Sequence, residues 1–237
     1  MDSFFVKAIG MELQAKITRT KIGKLWLEGP FRLILPLLSL EEKAYLYCSC
    51  LPSLPILYLT EKKPLSKEKG AEQTELLLRK YLTGALITEV QLIDMERILL
   101  FHLQRDTQGQ GFPSEHPKMR LIIEIMGRYG NIILTSDQDK ILAALRYVPA
   151  YKSRYRQILL GDIYKFPPPL KIGPHTLDKT TFFELQKSFD GVISLEKFLQ
   201  QKIAGLDPAL AAEICCRAKD KKRCMEKKMP SGRPSLK

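Results

Sequence analysis

The sequence predicts an α+β fold in which a large β-rich domain precedes a small helical region. Runs rich in β-branched and aromatic residues recur between turn residues over 22–149. Beyond Leu177 the apolar residues recur at helical spacing instead, after a proline triplet at 167–169 that indicates a linker. We therefore expect an N-terminal domain, a linker, a small helical region and a disordered basic tail. Their predicted bounds are 1–169, 170–179, 180–218 and 219–237.

Two helices and nine strands are predicted in the N-terminal domain. Residues 2–18 place Phe5, Leu13 and Ile17 at helical spacing, and residues 71–83 form a helix that ends at Gly84, where a helix C-cap favours glycine. The strands are predicted at 22–28, 31–38, 43–48, 55–60, 85–93, 96–104, 119–126, 131–136 and 143–149.

Three short helices are predicted in the second region. Their bounds are 180–189, 194–203 and 205–218. Ser194 and Asp207 are the expected N-cap residues, and Pro208 follows at the first helical position, where proline needs no hydrogen-bond acceptor.

The charge balance points to a polyanionic partner. The net charge is +12, and residues 217–237 hold nine basic residues against two acidic ones, so this segment supplies +7 of it. The five cysteines and three histidines show no zinc-ligand spacing, and we expect no metal and no cofactor. The N-terminus lacks the pattern of a secretory signal, and the longest uncharged run, 45–60, contains two prolines. A cytoplasmic location without membrane contact is the expectation.

The stretch RLIIEIMGRYGNIIL, residues 120–134, contains two strand-like runs joined by a glycine-flanked turn. Alternation places Ile123 and Ile125 on one face and Ile122, Glu124 and Met126 on the other. A carboxylate inside so apolar a strand requires a partner, because burying it alone costs several kcal/mol. Two alternatives stay open: Glu124 pairs with an arginine such as Arg97 or Arg128, or it accepts hydrogen bonds from RNA.

Two further segments combine aromatic rings with cations. Arg128 and Tyr129 lie at the predicted turn, where they suit either RNA contact or simple solvation. The run at 147–156 interleaves three tyrosines with three cations, which is typical of an RNA surface but also of tyrosines that cap a core edge. Its members are Tyr147, Tyr151, Lys152, Arg154, Tyr155 and Arg156.

Several segments together resemble the NFACT family of ribosome-associated quality-control factors, whose members also carry the label of fibronectin-binding proteins. The match begins with Asp2 and its helix and keeps its order and spacing over residues 1–169. The segments that carry it are ELLLRKYLTGALI (75–87), MERILLF (95–101), LIIEIMGRYGNIIL (121–134), ILAALRYVP (141–149) and RQILLGDIYKFPPP (156–169). Residues 203–214, IAGLDPALAAEI, look like part of the helix-hairpin-helix module that follows in the family.

The resemblance implies a β-sandwich-like domain similar to the N-terminal domain of formamidopyrimidine-DNA glycosylases. It implies binding of tRNA and of the large ribosomal subunit with stalled peptidyl-tRNA, without catalysis or a small-molecule substrate. Full-length relatives recruit alanyl-tRNA for untemplated alanine tailing of the stalled chain, and the sequence resembles their N-terminal part. A surface fibronectin-binding adhesin is the alternative that the family's older label suggests.

Two clusters of site residues follow from the resemblance. The first is an acid–arginine pair on a strand, here Glu96 and Arg97, with Glu in place of the family's usual Asp. Neighbouring residues of a strand point to opposite faces, so the pair cannot act as one fork, and Arg97 is the better candidate for a phosphate or ribose contact. The second cluster is Glu124, Ile125 and Met126. With Arg128 and Tyr129 these residues form the predicted RNA-binding set.

A DNA glycosylase or lyase activity is a further alternative, suggested only by the fold similarity. In the glycosylases the nucleophile is the amine of an N-terminal proline followed by a glutamate. This chain begins Met-Asp-Ser, and its first proline is Pro30. Because the nucleophile is missing, we expect no enzyme activity.

Overall fold

The computed structural model describes residues 3–38, 43–64, 73–93, 96–105, 116–153, 155–167 and 171–228. The chain divides into two compact units, Met1–Pro168 and Pro169–Lys237. Within the described ranges, no helix is both long and apolar enough to cross a membrane.

Ten strands among the described residues of the first unit form one antiparallel sheet. They are β1 (Lys21–Ile22), β2 (Trp26–Leu27), β3 (Arg32–Leu38), β4 (Lys43–Leu51), β5 (Leu54–Thr60), β6 (Leu86–Leu92), β7 (Ile98–Gln104), β8 (Lys118–Glu124), β9 (Asn131–Ser136) and β10 (Ile141–Ala144). The order is β10-β9-β8-β7-β6-β1-β3-β4-β5, and β2 pairs with β3. The last strand begins before the predicted 143–149 and ends at Ala144, five residues ahead of Pro149.

A β-sandwich was predicted, whereas the described strands form one continuous sheet. The short strand β1 joins its halves, because Lys21 pairs with Leu38 of β3 and with Leu86 of β6. The sheet nevertheless curls around one inner core, since the Cys50 thiol of β4 lies 3.6 Å from the Glu124 carbonyl oxygen of β8. The inner core combines residues from both halves, among them Leu35, Leu46, Phe101, Ile123 and Leu134. The similarity to the glycosylase domain stays a prediction.

Two helices, α1 (Ser3–Ile17) and α2 (Gln73–Leu82), contribute to the inner core. In α1 the buried positions are Ser3, Val6, Gly10, Leu13 and Ile17, whereas Phe5, which we placed on the apolar face, is exposed. At Gly10 a Cβ atom would lie 2.9 Å from Leu99 Cδ2, so the missing side chain allows the helix to approach β7 closely.

A second, smaller core covers the outer face of β7 to β10. It consists of Ile98, Leu100, Ile122, Ile133, Ile141, Ala144, Ile158 and Tyr164. The predicted alternation in β8 is therefore confirmed, because Ile123 and Ile125 belong to the inner core and Ile122 belongs to the outer one. Part of the segment after β10, from Val148 to Tyr164, packs over this outer face.

The second unit contains α3 (Lys179–Lys187), α4 (Leu195–Lys202) and α5 (Pro208–Lys228). Ser194 caps α4 as predicted, and an Asp207 carboxylate oxygen accepts the Leu210 N–H at 2.7 Å. The helices enclose a small core of Leu185, Phe198, Leu199, Ile203 and Cys215.

Two segments of this unit were predicted to be a linker and a tail, and the structure describes part of each. The expected linker 170–179 is partly tied to the helices, because Ile172 donates to the Lys202 carbonyl at 2.7 Å and accepts from Ala204 at 2.8 Å. The expected disordered tail begins as helix, since α5 runs to Lys228 through residues of good helix propensity with no glycine or proline between Pro208 and Pro230. The rest of the predicted tail, 229–237, lies outside the described residues.

Replacing Gly84 should lower the stability of the first unit. Gly84 follows α2 with a φ of +82°, and an added Cβ would meet nothing within 4 Å. Gly84→Ala should therefore cost about 1 kcal/mol from backbone strain alone, and Gly84→Asn should cost less. Urea unfolding followed by Trp26 fluorescence measures this, because the chain's single tryptophan lies in β2. Equal stability of the Gly84→Ala variant and the wild type would contradict the prediction.

Candidate nucleic-acid interface

The residues predicted to bind RNA meet at one end of the sheet. Strand β7 begins at Ile98, which pairs with Glu124 at the end of β8, and Glu124 pairs with Asn131 at the start of β9. Residues 96–97 precede β7 and residues 125–130 join β8 to β9, so both segments lie at this edge. We call residues 96–97 and 124–130 the site end of the sheet.

The acid–arginine pair lies in a turn, and the strand predicted over 96–104 begins only at Ile98. The Ile93 N–H donates to the Ile98 carbonyl at 2.9 Å, and Arg97 has a φ of +57°, which breaks the extended conformation. Glu96 and Arg97 are both half-buried, and the Arg97 carbonyl accepts the Ile125 N–H at 2.9 Å. The expectation that the two side chains point to opposite faces of a strand therefore does not hold.

Glu124 is fully buried and has two partners from the segment after β10. Its Oε1 accepts a hydrogen bond from the Arg156 guanidinium and one from the Tyr164 hydroxyl at 2.7 Å. The Arg156 guanidinium also lies 5.0 Å from the centroid of the Tyr164 ring. One of the two alternatives expected an arginine partner, with Arg97 and Arg128 as examples. The ion pair of Glu124 is with a different arginine, Arg156, which belongs to the aromatic and basic run.

Burial is the largest influence on the pKa of both acids in this cluster, and it raises the pKa of the Glu124 carboxyl and of the Tyr164 hydroxyl. Burial raises the pKa of the Glu124 carboxyl, while the Arg156 charge and the hydrogen bonds from Arg156 and Tyr164 lower it. Burial and the nearby Glu124 charge raise the pKa of Tyr164, so its hydroxyl stays protonated and can donate. Among the residues that the structure describes, none forms a hydrogen bond with Glu124 Oε2, which is also buried. Glu124 therefore faces the protein interior.

The other two members of the second cluster differ in exposure. Ile125 is buried in the inner core, and Met126 is half-buried at the edge. Nearby, burial raises the pKa of the Cys50 thiol to about 12, so it is a neutral donor to the Glu124 carbonyl. Within the described part of the chain, no three His, Cys, Asp or Glu side chains are grouped so as to hold a metal ion.

The turn between β8 and β9 is a single 3₁₀ turn, Gly127–Tyr129, that presents a cation and a ring. Tyr129 is 65% exposed, and the Arg128 guanidinium lies 4.7 Å from the centroid of its ring. Gly127 has a φ of +55°, which glycine adopts without strain. Such a pair can stack on a base and neutralise a phosphate.

Two residues that the sequence analysis did not single out hold this turn. The Arg146 guanidinium donates to the carbonyl oxygens of Arg128 at 2.7 Å and of Gly130 at 3.3 Å. The Asn131 side chain donates to the Arg146 carbonyl at 2.9 Å and accepts the Arg146 N–H at 3.0 Å. No spacing rule links positions so far apart, so only the folded sheet reveals these contacts.

Removing the Glu124 carboxylate should destabilise the first unit strongly. Glu124→Leu leaves the Arg156 charge buried and unpaired, which should cost about 3–5 kcal/mol. The double variant Glu124→Leu/Arg156→Met should recover at least about half of that loss, because it buries no charge. Tyr164→Phe is the matched control and should cost about 1–3 kcal/mol.

Urea unfolding monitored by Trp26 fluorescence measures these three variants on the same unit. A double variant that is no more stable than Glu124→Leu would show that the buried charge of Arg156 is not what destabilises the single variant.

Comparison with known proteins places the chain in a family. A family model described as the NFACT N-terminal and middle domains matches residues 2–231. A Streptococcus suis protein named Rqc2 homolog RqcH is 31% identical over 218 residues, which cover 90% of this chain and 38% of the relative. A Bacillus subtilis protein of the same name is 28% identical over 222 residues, covering 92% and 37%. The chain thus spans less than two fifths of the length of these curated relatives.

Solved structures agree with this assignment. The N-terminal domain of fibronectin-binding protein PavA from Streptococcus pneumoniae has a TM-score of 0.78 and 27% identity, over 95% of this chain and 82% of that one. The N-terminal part of the fibronectin/fibrinogen-binding protein from Streptococcus suis has a TM-score of 0.75 and 30% identity, over 90% and 78%. Because the family model matches nearly the whole sequence, this chain belongs to the NFACT family.

Proposed function

We propose that this chain is a non-catalytic module that binds tRNA and the large ribosomal subunit with stalled peptidyl-tRNA, in the cytoplasm. It would serve a ribosome-associated quality-control factor that recruits alanyl-tRNA for untemplated alanine tailing of stalled chains. Family membership and relatives named Rqc2 homolog RqcH support this proposal.

The observation that carries the proposal is the grouping of cations and a ring at the site end. The exposed pair of Arg128 and Tyr129 lies at the same edge as the turn that holds Arg97. No acidic residue occurs from Ile125 to Ser136, so this turn and the strand after it add no negative charge that would repel a phosphate. Such a surface fits an RNA better than an acidic or purely apolar partner.

We assign a role to each predicted site residue according to how exposed its side chain is. Arg97 and Arg128 contact phosphates, and Tyr129 stacks on a base. Glu96 accepts a hydrogen bond from a ribose hydroxyl, and Met126 packs against the RNA from the edge of the core. The last two residues, Glu124 and Ile125, are buried and position the others without touching the RNA.

Fibronectin binding is the second candidate function. The names of two proteins with similar solved structures favour it, since both are called fibronectin-binding proteins. If it is correct, the purified chain should bind immobilised fibronectin, and an excess of tRNA should leave that binding unchanged. Displacement of the chain by tRNA would instead indicate that a basic surface binds both polymers by charge.

Charge reversal at Arg97 should weaken tRNA binding by the 237-residue chain by about tenfold or more, because a phosphate contact becomes a repulsion. Fluorescence anisotropy with labelled tRNA, measured across a salt series, gives the affinity and its salt slope. Duplex DNA with an abasic site serves as the competitor and should displace tRNA poorly.

Arg19→Glu is the matched control for Arg97→Glu. Arg19 also has a left-handed backbone, with a φ of +68°. Its backbone N–H donates to the Ile87 carbonyl at 2.7 Å, at the end of β6 that lies away from the site end. The two variants therefore change the net charge by the same amount, each at a residue with a left-handed backbone. Equal weakening by both, or none by Arg97→Glu, would contradict the site assignment.

A further inference from the structure

A loop beside the site end is fixed at its base. Val148 and Ile158 exchange both backbone hydrogen bonds, at 3.0 and 2.9 Å, and so close residues 149–157 into a loop. The Ile158 side chain is buried in the outer core, and Arg156 is held by Glu124. We call residues 147–155 the aromatic loop; within it, residue 154 lies outside the described part.

The aromatic loop carries tyrosines that do not cap the core. Tyr151 is 84% exposed and Tyr155 is 62% exposed, whereas Tyr164, which belongs to the outer core, is 4% exposed. The alternative of tyrosines capping a core edge therefore fits Tyr164 and does not fit the two loop residues. Their rings are available to a partner.

The charge of the aromatic loop and of the residues around it indicates which kind of partner the loop would bind. No acidic residue occurs between Lys140 and Asp162, while four basic residues do. One of them flanks an exposed ring directly, because the Lys152 ammonium lies 5.9 Å from the Tyr151 ring centroid, whereas Arg146 and Arg156 are held by the Arg128 carbonyl and by Glu124. Exposed rings beside a cation, in a segment without acidic residues, match a polyanion that also offers flat aromatic faces, which is a nucleic acid with unpaired bases.

The aromatic loop and the turn 127–129 are connected at their bases. Arg146, immediately before the aromatic loop, donates to the Arg128 carbonyl, and Leu145 donates to the Ile132 carbonyl at 2.9 Å. Arg156, immediately after the aromatic loop, donates to Glu124 at the end of β8. Both segments therefore rise from the same edge of the sheet.

We propose that the aromatic loop is a second contact for RNA, in which Tyr151 and Tyr155 stack on unpaired nucleotides while Lys152 neutralises their phosphates. The proposal rests on the proposed function and extends it to a surface outside the predicted site. It specifies single-stranded segments, such as the loops and the 3′ end of a tRNA, because rings on a protruding loop reach only bases that are splayed out of a helix. The fixed base of the loop presents the rings with little ordering cost on binding.

The test uses the 237-residue chain and a fluorescein-labelled, unstructured RNA 12-mer, with an RNA duplex of equal length for comparison. Tyr151→Ala/Tyr155→Ala should weaken binding of the single strand by about tenfold or more and change duplex binding by less than about twofold. Tyr151→Phe/Tyr155→Phe keeps the rings and should bind within about twofold of the wild type. Trp26 fluorescence during urea unfolding verifies that each variant is folded.

Tyr58→Ala is the control for loss of an exposed tyrosine elsewhere. Tyr58 lies on β5 and stacks on Tyr47, with ring centroids 5.0 Å apart, so its removal should leave RNA binding unchanged. Unchanged single-strand affinity of the double alanine variant would overturn the proposal, and so would equal losses for single strand and duplex.

The outcomes separate this proposal from the proposed function. If Arg97→Glu weakens tRNA binding and the double alanine variant does not weaken single-strand binding, only the aromatic loop proposal fails. If the tyrosines are required for the single strand but tRNA binds no better than the abasic duplex, the loop proposal stands and the proposed function fails.

Discussion

The buried ion pair of Glu124 with Arg156, completed by the Tyr164 hydroxyl, is the interaction on which the rest of the candidate interface depends. It ties the end of β8 to a segment more than thirty residues further along the chain. Burying either charge without its partner would cost free energy, so the end of β8 and the segment that carries Arg156 hold each other in place. One end of the sheet thereby becomes a defined surface with exposed rings and cations.

Buried and exposed residues have different roles at this end of the sheet. The interior carboxylate and the core around it determine where the chain segments lie, and the residues that project into solvent lie on tight turns between strands. Arg146 and Asn131 add a second set of hydrogen bonds, which joins the turn before β9 and the start of β9 to the segment that follows β10. The surface is thus preorganised by contacts inside the protein that no partner would touch.

Much of the fold could be predicted from the sequence, because strand alternation and helix caps are local. Gly84, Ser194 and the two faces of β8 lie where these rules place them. The partner of Glu124 could not be predicted, since it depends on how the sheet curls and on which later segment packs over it. The left-handed backbone of Arg97 could not be predicted either, because the residue is not a glycine. The continuity of the sheet was equally hidden, since it depends on the two residues of β1.

The backbone pairing of Val148 with Ile158 makes the nine residues between them a self-contained insert. Exchanges of this insert between relatives, or changes in its length, would leave the strands undisturbed as long as the closing pair remains. Arg156 is the exception, because it lies inside the insert but pairs with the buried Glu124 carboxylate at the end of β8. A chimera that replaces the insert must therefore keep an arginine two residues before the closing isoleucine, whatever ligand the rest of the graft is chosen to recognise.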